Sequence, residues 1–475
     1  MKLVIIGAGP GGYTAALRAR SLGAEVTLID RDEPGGTCLA RGCIPSKIMR
    51  QAADLVDSLK KASDYGITPG DSSPLVDLTA LRSRQASIIS GMQKGLTALF
   101  KARGIAFVRG RAEISAPAEV TVQTPDGETV FQFDKLLIAT GSRPSEIPGA
   151  GPNLALNGKT IISSDEALSL TELPARLLVV GGGVIGCELA QIYHSLGTEV
   201  SMVEALDRIL PLPSLDEGIS KTYMRSLKKA RLPFYTGYGL ADARSTPEGI
   251  CAILKPFQPK NLNPGPEREV LCDKILICTG RAPLADEIGL ADAGVALDSR
   301  GWVEVDGDFK TSTPNISAIG DCLGPAHYML AHTAQAQGRA AVEAMFGETS
   351  SMNLSLVPAT IFTYPEIACV GPSLREAEKS NPGSKGVDIL FRQLGKAQAM
   401  GEPDGLVRIV SGSCGKVLGG QIIGAQASSL IAEIALAANA GLHVTDIART
   451  IHAHPTLAEG VWEAALASSC HALHG

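Results

Sequence analysis

The segments "KLVIIGAGPGGYTAALRARSLGAEVTLID" and "RLLVVGGGVIGCELAQIYHSLGTEVSMVE" are two copies of one device. Each reads as a buried strand (Lys2–Ile6 and 176–180), a glycine turn, a helix, and a second strand that closes on an acid. The glycines are Gly7, Gly9 and Gly12 in the first copy and Gly181, Gly183 and Gly186 in the second. The acids, Asp30 and Glu204, each stand 23 positions beyond the first glycine of their copy. That spacing has a chemical reading. The first glycine permits the tight turn and the second lets backbone approach a pyrophosphate. The third lets the helix pack on the strand, so that phosphates meet free N–H groups at its N-terminus. The acid then accepts hydrogen bonds from a ribose 2′-hydroxyl. Glycine-punctuated turns occur in any doubly wound sheet, but they leave the shared acid offset unexplained. Two dinucleotides are therefore expected. Glu204 bears on the second, because its carboxylate would repel the 2′-phosphate of NADP; that site reads as one for NAD.

At 475 residues the chain exceeds what one hydrophobic core supports, and about two to four domains are expected. Its 52 glycines and 4% aromatics favour many tight βα turns over an aromatic-rich sandwich. The net charge of −6 provides no electrostatic footprint for nucleic acid and no general steering of acidic substrates. No apolar run reaches the roughly 18 residues of a membrane span. The lysine-led N-terminus imitates a signal peptide, but glycines interrupt its apolar stretch and no cleavage site follows. The cytoplasm is therefore the expected compartment. Ten cysteines are too sparse for a secreted disulfide scaffold. Cys187, Cys251, Cys272, Cys278, Cys322, Cys369 and Cys414 sit among apolar neighbours and are expected as buried hydrophobes.

Cys38 and Cys43 differ from these. They lie in "GGTCLARGCIPSK", separated by four residues. A zinc site needs four ligands, and no second pair at metal spacing follows. A structural staple is disfavoured by a reducing compartment and by the short loop it would close. A redox pair has positive support: the thiols follow directly on a nucleotide-binding βαβ unit, at the start of a helix expected over about 44–61. Helix N-termini and nearby cations lower thiol pKa values, and Arg41 and Lys47 are both near in sequence. Two further segments echo each other, "KLLIATGSRP" and "KILICTGRAP", each a buried strand running into a Thr-Gly turn. "TSTPNISAIGDCLG" reads as a strand over 316–319 ending in Gly320–Asp321, where the acid either binds ribityl hydroxyls or caps a helix.

Taken in order, the two glycine motifs, "GGTC…CIPSK", "AIGD", "MLAH" and "HAHPTLAE" resemble the flavin-dependent pyridine nucleotide–disulfide oxidoreductases over essentially the whole chain. "CIPSK", Glu204 and "HAHPTLAE" most resemble the dihydrolipoamide dehydrogenase branch of that family. The resemblance implies that Gly7, Gly9, Gly12 and Asp30 hold the ADP half of FAD, continued by Ala112, Thr140, Gly141, Ser142 and Asp321. It implies that the helix beginning at Met329, Leu330, Ala331 and His332 points its positive end at the flavin. Lys47 and Glu188 match a pair that sits as an ion pair near the flavin, and Gly280 joins Gly181, Gly183, Gly186 and Glu204 at the NAD site.

A dithiol substrate must lose a proton before it attacks a disulfide, so a base is required. The resemblance makes His454 that base, with Glu459 fixing its tautomer as the third member of a triad does, and His452 as the runner-up. It implies that His454 reaches the disulfide of a second subunit. Departures from the family pattern are Arg41, which brings a charge beside the disulfide, and Thr333 and Gln337 in place of lysine and glutamate. Altered potential or rate is expected from these. A single Cys470 stands where mercuric reductases carry a cysteine pair, which weighs against a metal-handling role.

The expected fold class is α/β: two Rossmann-like dinucleotide-binding domains and a C-terminal α+β dimerisation domain. The FAD domain spans 1–150 and 281–347, the NAD domain 151–280 and the interface domain 348–475. The expected activity is oxidation of dihydrolipoamide, borne on a protein of a 2-oxoacid dehydrogenase or glycine cleavage complex, with reduction of NAD. The resemblance implies that Cys38 is attacked by substrate and that Cys43 faces the flavin as thiolate. Two alternatives stand beside it: another flavin disulfide reductase of glutathione- or mercuric-reductase type, and a non-catalytic flavin redox sensor.

Overall fold

The computed structural model describes residues 1–68, 76–257 and 265–469. Cys470 lies outside them. The duplication read in the sequence extends to strand order and register. One parallel sheet runs 316–318, 135–138, 2–6, 25–30, 106–109; a second runs 161–162, 274–277, 176–180, 199–204, 234–236. Lys2 pairs with Glu25 in the first and Arg176 with Glu199 in the second. The two sheets differ in the origin of one outer strand. The first sheet takes it from 316–318, late in the chain, and the second from 161–162, ahead of its glycine turn.

Runs such as "KLVII" and "RLLVV" are apolar throughout because both faces of a parallel sheet are covered. The glycine turns are dictated by space. Gly7 has φ +110°, and a Cβ there would lie 2.1 Å from Ala139 O; the counterpart Gly181 has φ +108° and would meet Cys278 O at 2.4 Å. A Cβ on Gly12 or Gly186 would strike the carbonyl of its own turn, at 1.8 and 1.9 Å. The first helix (Pro10–Ser21) starts at a proline suited to the first turn and packs against the Ala331–Met345 helix.

Each parallel sheet carries a three-stranded antiparallel excursion, 111–132 in one case and 238–272 in the other. The two echoing Thr-Gly-Arg-Pro segments pair with each other, Ser142–Pro144 antiparallel to Arg281–Pro283, and so bind the two nucleotide units together. The C-terminal part is a five-stranded antiparallel sheet in the order 359–361, 367–370, 417–423, 406–411, 385–390. Helices Ala427–Asn439 and Glu459–Ser468 pack against it around Ile431, Ile434 and Val461. Among the described residues no helix is long and apolar enough to cross a membrane.

One cysteine expectation fails. Cys187, Cys272, Cys322 and Cys369 are buried and Cys251 and Cys278 partly so, but Cys414 is exposed. It sits in the tight link between strands 406–411 and 417–423, which faces outward at this residue.

Candidate active site

A cavity of about 700 Å³ runs between the two nucleotide units and gathers most of the residues singled out above. Asp30, the Gly7–Gly9 turn, Met329–His332, Cys43 and Lys47 all line it. Ala112, Thr140, Gly141, Ser142 and Asp321 lie along it, and Glu188 reaches in from the Val184–Leu196 helix. Gly12, Gly181, Gly183, Gly186, Glu204, Gly280, His454 and Glu459 do not line it.

The two acids are held alike. Asp30 accepts the Ala8 amide at 2.6 Å and the Asp32 amide at 2.9 Å; Glu204 accepts the Gly182 amide at 2.6 Å and the Leu206 amide at 2.8 Å. Each carboxylate is thus aimed by backbone on both sides of its strand end. Burial raises the Asp30 carboxyl above its ordinary value, against the lowering by those two amides.

The cavity fits a dinucleotide at its glycine end. Gly36 packs so tightly on the first turn that a Cβ would come within 2.6 Å of Gly9 Cα, leaving bare backbone facing the space. Further along, Ser142 Oγ donates to Asp321 Oδ2 at 2.7 Å and receives Arg281 Nε at 2.6 Å. Arg281 lines the cavity and was missed as a site residue; its place in the "TGRAP" echo was the available signal. Gln337 Oε1 accepts the Gly320 amide at 2.7 Å and so holds the turn that carries Asp321. Neither Gln337 nor Thr333 lines the cavity; both are buried behind it.

The dithiol lies on two helices where one was expected. A short helix, Gly36–Arg41, carries Cys38, and a longer one, Cys43–Lys60, begins at Cys43. Gly42 separates them, at a point where a Cβ would lie 2.9 Å from Thr37 O. Both cysteines are free thiols, and they differ in character. The Cys38 thiol donates to Cys43 and, with Lys47 nearby, lowers Cys43 to about 7 against the effect of burial. The same hydrogen bond, reinforced by burial, raises Cys38 far above the ordinary thiol range. Position at a helix N-terminus suits the Cys43 thiolate further.

Lys47 Nζ lies 2.7 Å from Glu188 Oε2, joining the dithiol helix to the second nucleotide unit. Arg41 lines the same cavity as the thiols, and its guanidinium is 2.5 Å from Asp32 Oδ2. Among the described residues no cluster of three or more His, Cys, Asp or Glu is arranged to hold a metal ion.

His454 and Glu459 meet at 2.7 Å, Nδ1 to Oε1, while Glu459 Oε2 accepts the Thr456 amide at 2.8 Å. Burial would raise the Glu459 carboxyl, but the Thr456 amide and the His454 ring outweigh it and hold it below its ordinary value. The His454 side chain is 77% exposed, and among the described residues its Nε2 meets no hydrogen-bond partner. His452 is committed elsewhere: it is 7% exposed, bonded to Glu433 and Thr450 O, and stacked on Trp462. Within one chain, then, the dithiol lines the cavity and the His454–Glu459 pair does not.

The sequence matches the pyridine nucleotide-disulphide oxidoreductase family over residues 1–338 and the dimerisation domain of the same family over 357–465. A dihydrolipoyl dehydrogenase of Haloferax volcanii is 37% identical, the alignment covering 100% of this chain and 97% of that protein. One from Bacillus subtilis is also 37% identical, over 97% of this chain and 95% of its own length. The crystal structure of LpdA from Mycobacterium tuberculosis superposes with a TM-score of 0.87 at 29% identity, covering 98% of this chain and 99% of that one. With the doubled nucleotide fold, the dithiol between its halves and matches that run the full length, the chain belongs to the pyridine nucleotide-disulphide oxidoreductase family.

Proposed function

We propose that the protein is a dihydrolipoyl dehydrogenase: it oxidises protein-bound dihydrolipoamide to lipoamide and reduces NAD to NADH. The observation that carries this reading is the pair Cys38 and Cys43, on adjoining helices beside the Lys47–Glu188 ion pair, at a cavity shared by both nucleotide units. FAD would occupy that cavity, with Asp30 at the ribose, the Gly7–Gly9 backbone at the phosphates, and the first amides of the Ala331–Met345 helix at the ring. Bound FAD would supply the two-electron relay between the dithiol and NAD.

The residues of the chain account for the rest. In the oxidised protein Cys38 and Cys43 are joined as a disulfide. His454 takes a proton from one substrate thiol, and the Glu459 carboxylate stabilises the imidazolium that results. The substrate thiolate attacks Cys38 and releases Cys43 as thiolate, stabilised by Lys47 and the helix N-terminus. The second substrate thiol then displaces Cys38, closing the lipoamide disulfide and leaving the protein as dithiol. His454 is supplied by a second copy of the chain, since it is exposed, does not line the cavity and is carried by the part that matches a dimerisation domain. The physiological partner is a lipoyl-bearing protein of a 2-oxoacid dehydrogenase or glycine cleavage complex.

The purified protein tests this with three substrate pairs: dihydrolipoamide with NAD, glutathione disulfide with NADPH, and Hg(II) with NADPH. Turnover of about 10 per second or more with the first pair alone is expected. Faster turnover with either of the others overturns the substrate assignment, and none with any pair would leave the sensor reading in its place.

A further inference from the structure

Three segments distant in sequence meet at the Lys47 ammonium. Cys43 and Lys47 lie one turn apart on the same helix face. Lys47 Nζ stands 2.7 Å from Glu188 Oε2 and 4.1 Å from the centroid of the Phe362 ring, where the quadrupole of the ring attracts a cation. The Lys47 side chain keeps 32% exposure against 10% for Glu188, so the ammonium retains a path toward water that the carboxylate lacks.

The backbone beneath the ring is fixed independently. The Phe362 amide donates to Glu188 Oε1 at 2.9 Å. One helix turn on, Gln191 accepts the Tyr364 amide at 2.6 Å and donates to Tyr364 O at 2.7 Å. Glu188 and Gln191 thus hold residues 362–364 much as a neighbouring strand would. This clamp uses only main-chain atoms of Phe362 and gives its ring no task.

We propose that Phe362 is a positioning residue: its ring keeps the Lys47 ammonium between Glu188 and Cys43, at the wall of the cavity that Phe362 also lines. The groups that bear on Cys43 are Cys38 from the short helix, Lys47 from its own helix and Glu188 from the second nucleotide unit. Arg41 pairs with Asp32. Without the ring, Glu188 stays pinned by the Phe362 amide while Lys47 keeps only Glu188 and, at 3.4 Å, Ser46 Oγ, and its ammonium shifts toward solvent. Cys43 then faces less compensated negative charge, and its thiolate is harder to form. The importance of this rests on the function proposed above, in which Cys43 faces the flavin as thiolate.

The test follows Cys43 ionisation in the reduced, flavin-loaded protein through the pH dependence of its alkylation by iodoacetamide, with peptide mass mapping to separate it from other thiols. Long-wavelength thiolate–flavin absorbance is titrated in parallel. Phe362→Leu is expected to raise the midpoint by about half a unit, roughly a threefold change in the thiol–thiolate ratio, and Phe362→Tyr to leave it unchanged. Lys47→Met should raise it too, and adding Phe362→Leu to Lys47→Met should change nothing more, because the ring acts only through the lysine. An equal shift from Phe362→Leu with and without Lys47, or none in either background, overturns the proposal. A parent protein whose Cys43 titrates but which shows no thiolate–flavin absorbance overturns the proposed function instead, and leaves the positioning role standing.

Discussion

Glu459→Gln tests the proposed base most closely, because the structure dictates how the amide must turn. Glu459 Oε1 faces His454 Nδ1 at 2.7 Å and Oε2 accepts the Thr456 amide at 2.8 Å. The Thr456 N–H can only donate, so a glutamine satisfies it by turning its oxygen that way. Its NH2 group then faces Nδ1, which must accept, and the ring proton moves to Nε2. That is the nitrogen required to take the substrate proton. The opposite orientation preserves the productive tautomer but leaves the Thr456 amide unsatisfied, at about 1–3 kcal/mol. That cost alone suppresses the productive state by roughly 5- to 150-fold. Loss of the negative charge beside the imidazolium adds to it, so kcat with dihydrolipoamide and NAD should fall by about 100-fold or more, equivalent to about 2.7 kcal/mol. The control is NADH oxidation with an artificial electron acceptor, which needs no thiol base and should stay within about twofold of the parent. Retention of more than a tenth of kcat, or an equal loss in both assays, would refute the tautomer argument.

The other predictions concern the thiols, the nucleotide and the assembly. The reduced protein should gain its long-wavelength thiolate–flavin band as pH rises through about 7, where Cys43 loses its proton; Cys43→Ser should lack the band and Cys38→Ser should keep it while losing turnover. Identical spectra in the two variants would show that the sulfurs have been given the wrong roles. Steady-state kinetics should favour NAD over NADP by at least about tenfold, or 1.4 kcal/mol, and Glu204→Arg should erode that ratio. Equal use of both by the parent defeats the Glu204 reading. Finally, Cys38→Ser and His454→Ala chains, each inactive alone, should recover roughly a quarter of parental activity when refolded together, since half the dimers are mixed and each has one intact site of two. Zero recovery, with mixed dimers confirmed by mass, places the whole site in one chain.

The glycine–acid device is legible in the sequence because all its parts lie within one βαβ unit. Gly12 and Gly186 are dictated by the carbonyls of their own turns and Gly7 and Gly181 by a positive φ, although the carbonyls that crowd the latter two, Ala139 O and Cys278 O, arrive from distant strands. The dithiol is legible for the same reason: Cys38, Gly42 and Cys43 are neighbours along the chain, and the helix that begins at Cys43 follows directly. The echoing Thr-Gly-Arg-Pro segments are visible as repeats, yet nothing local says that Ser142 pairs with Pro283.

Charge partners are decided at longer range. By sequence Arg41 and Lys47 are equally placed to serve the thiols. Only the packed structure assigns Arg41 to Asp32 and brings Glu188, 141 residues away, to Lys47. His452 and His454 likewise differ little as sequence, but the fold buries one between Glu433 and Trp462 and leaves the other exposed. Phe362 gives no local hint of a role, since its ring meets Lys47 only after three separate sheets have placed their helices and loops around one cavity. Backbone conformation and motif spacing are settled over a few residues and can be read from order alone. Which ammonium meets which carboxylate or ring depends on how distant elements pack together, and the tertiary structure alone decides that.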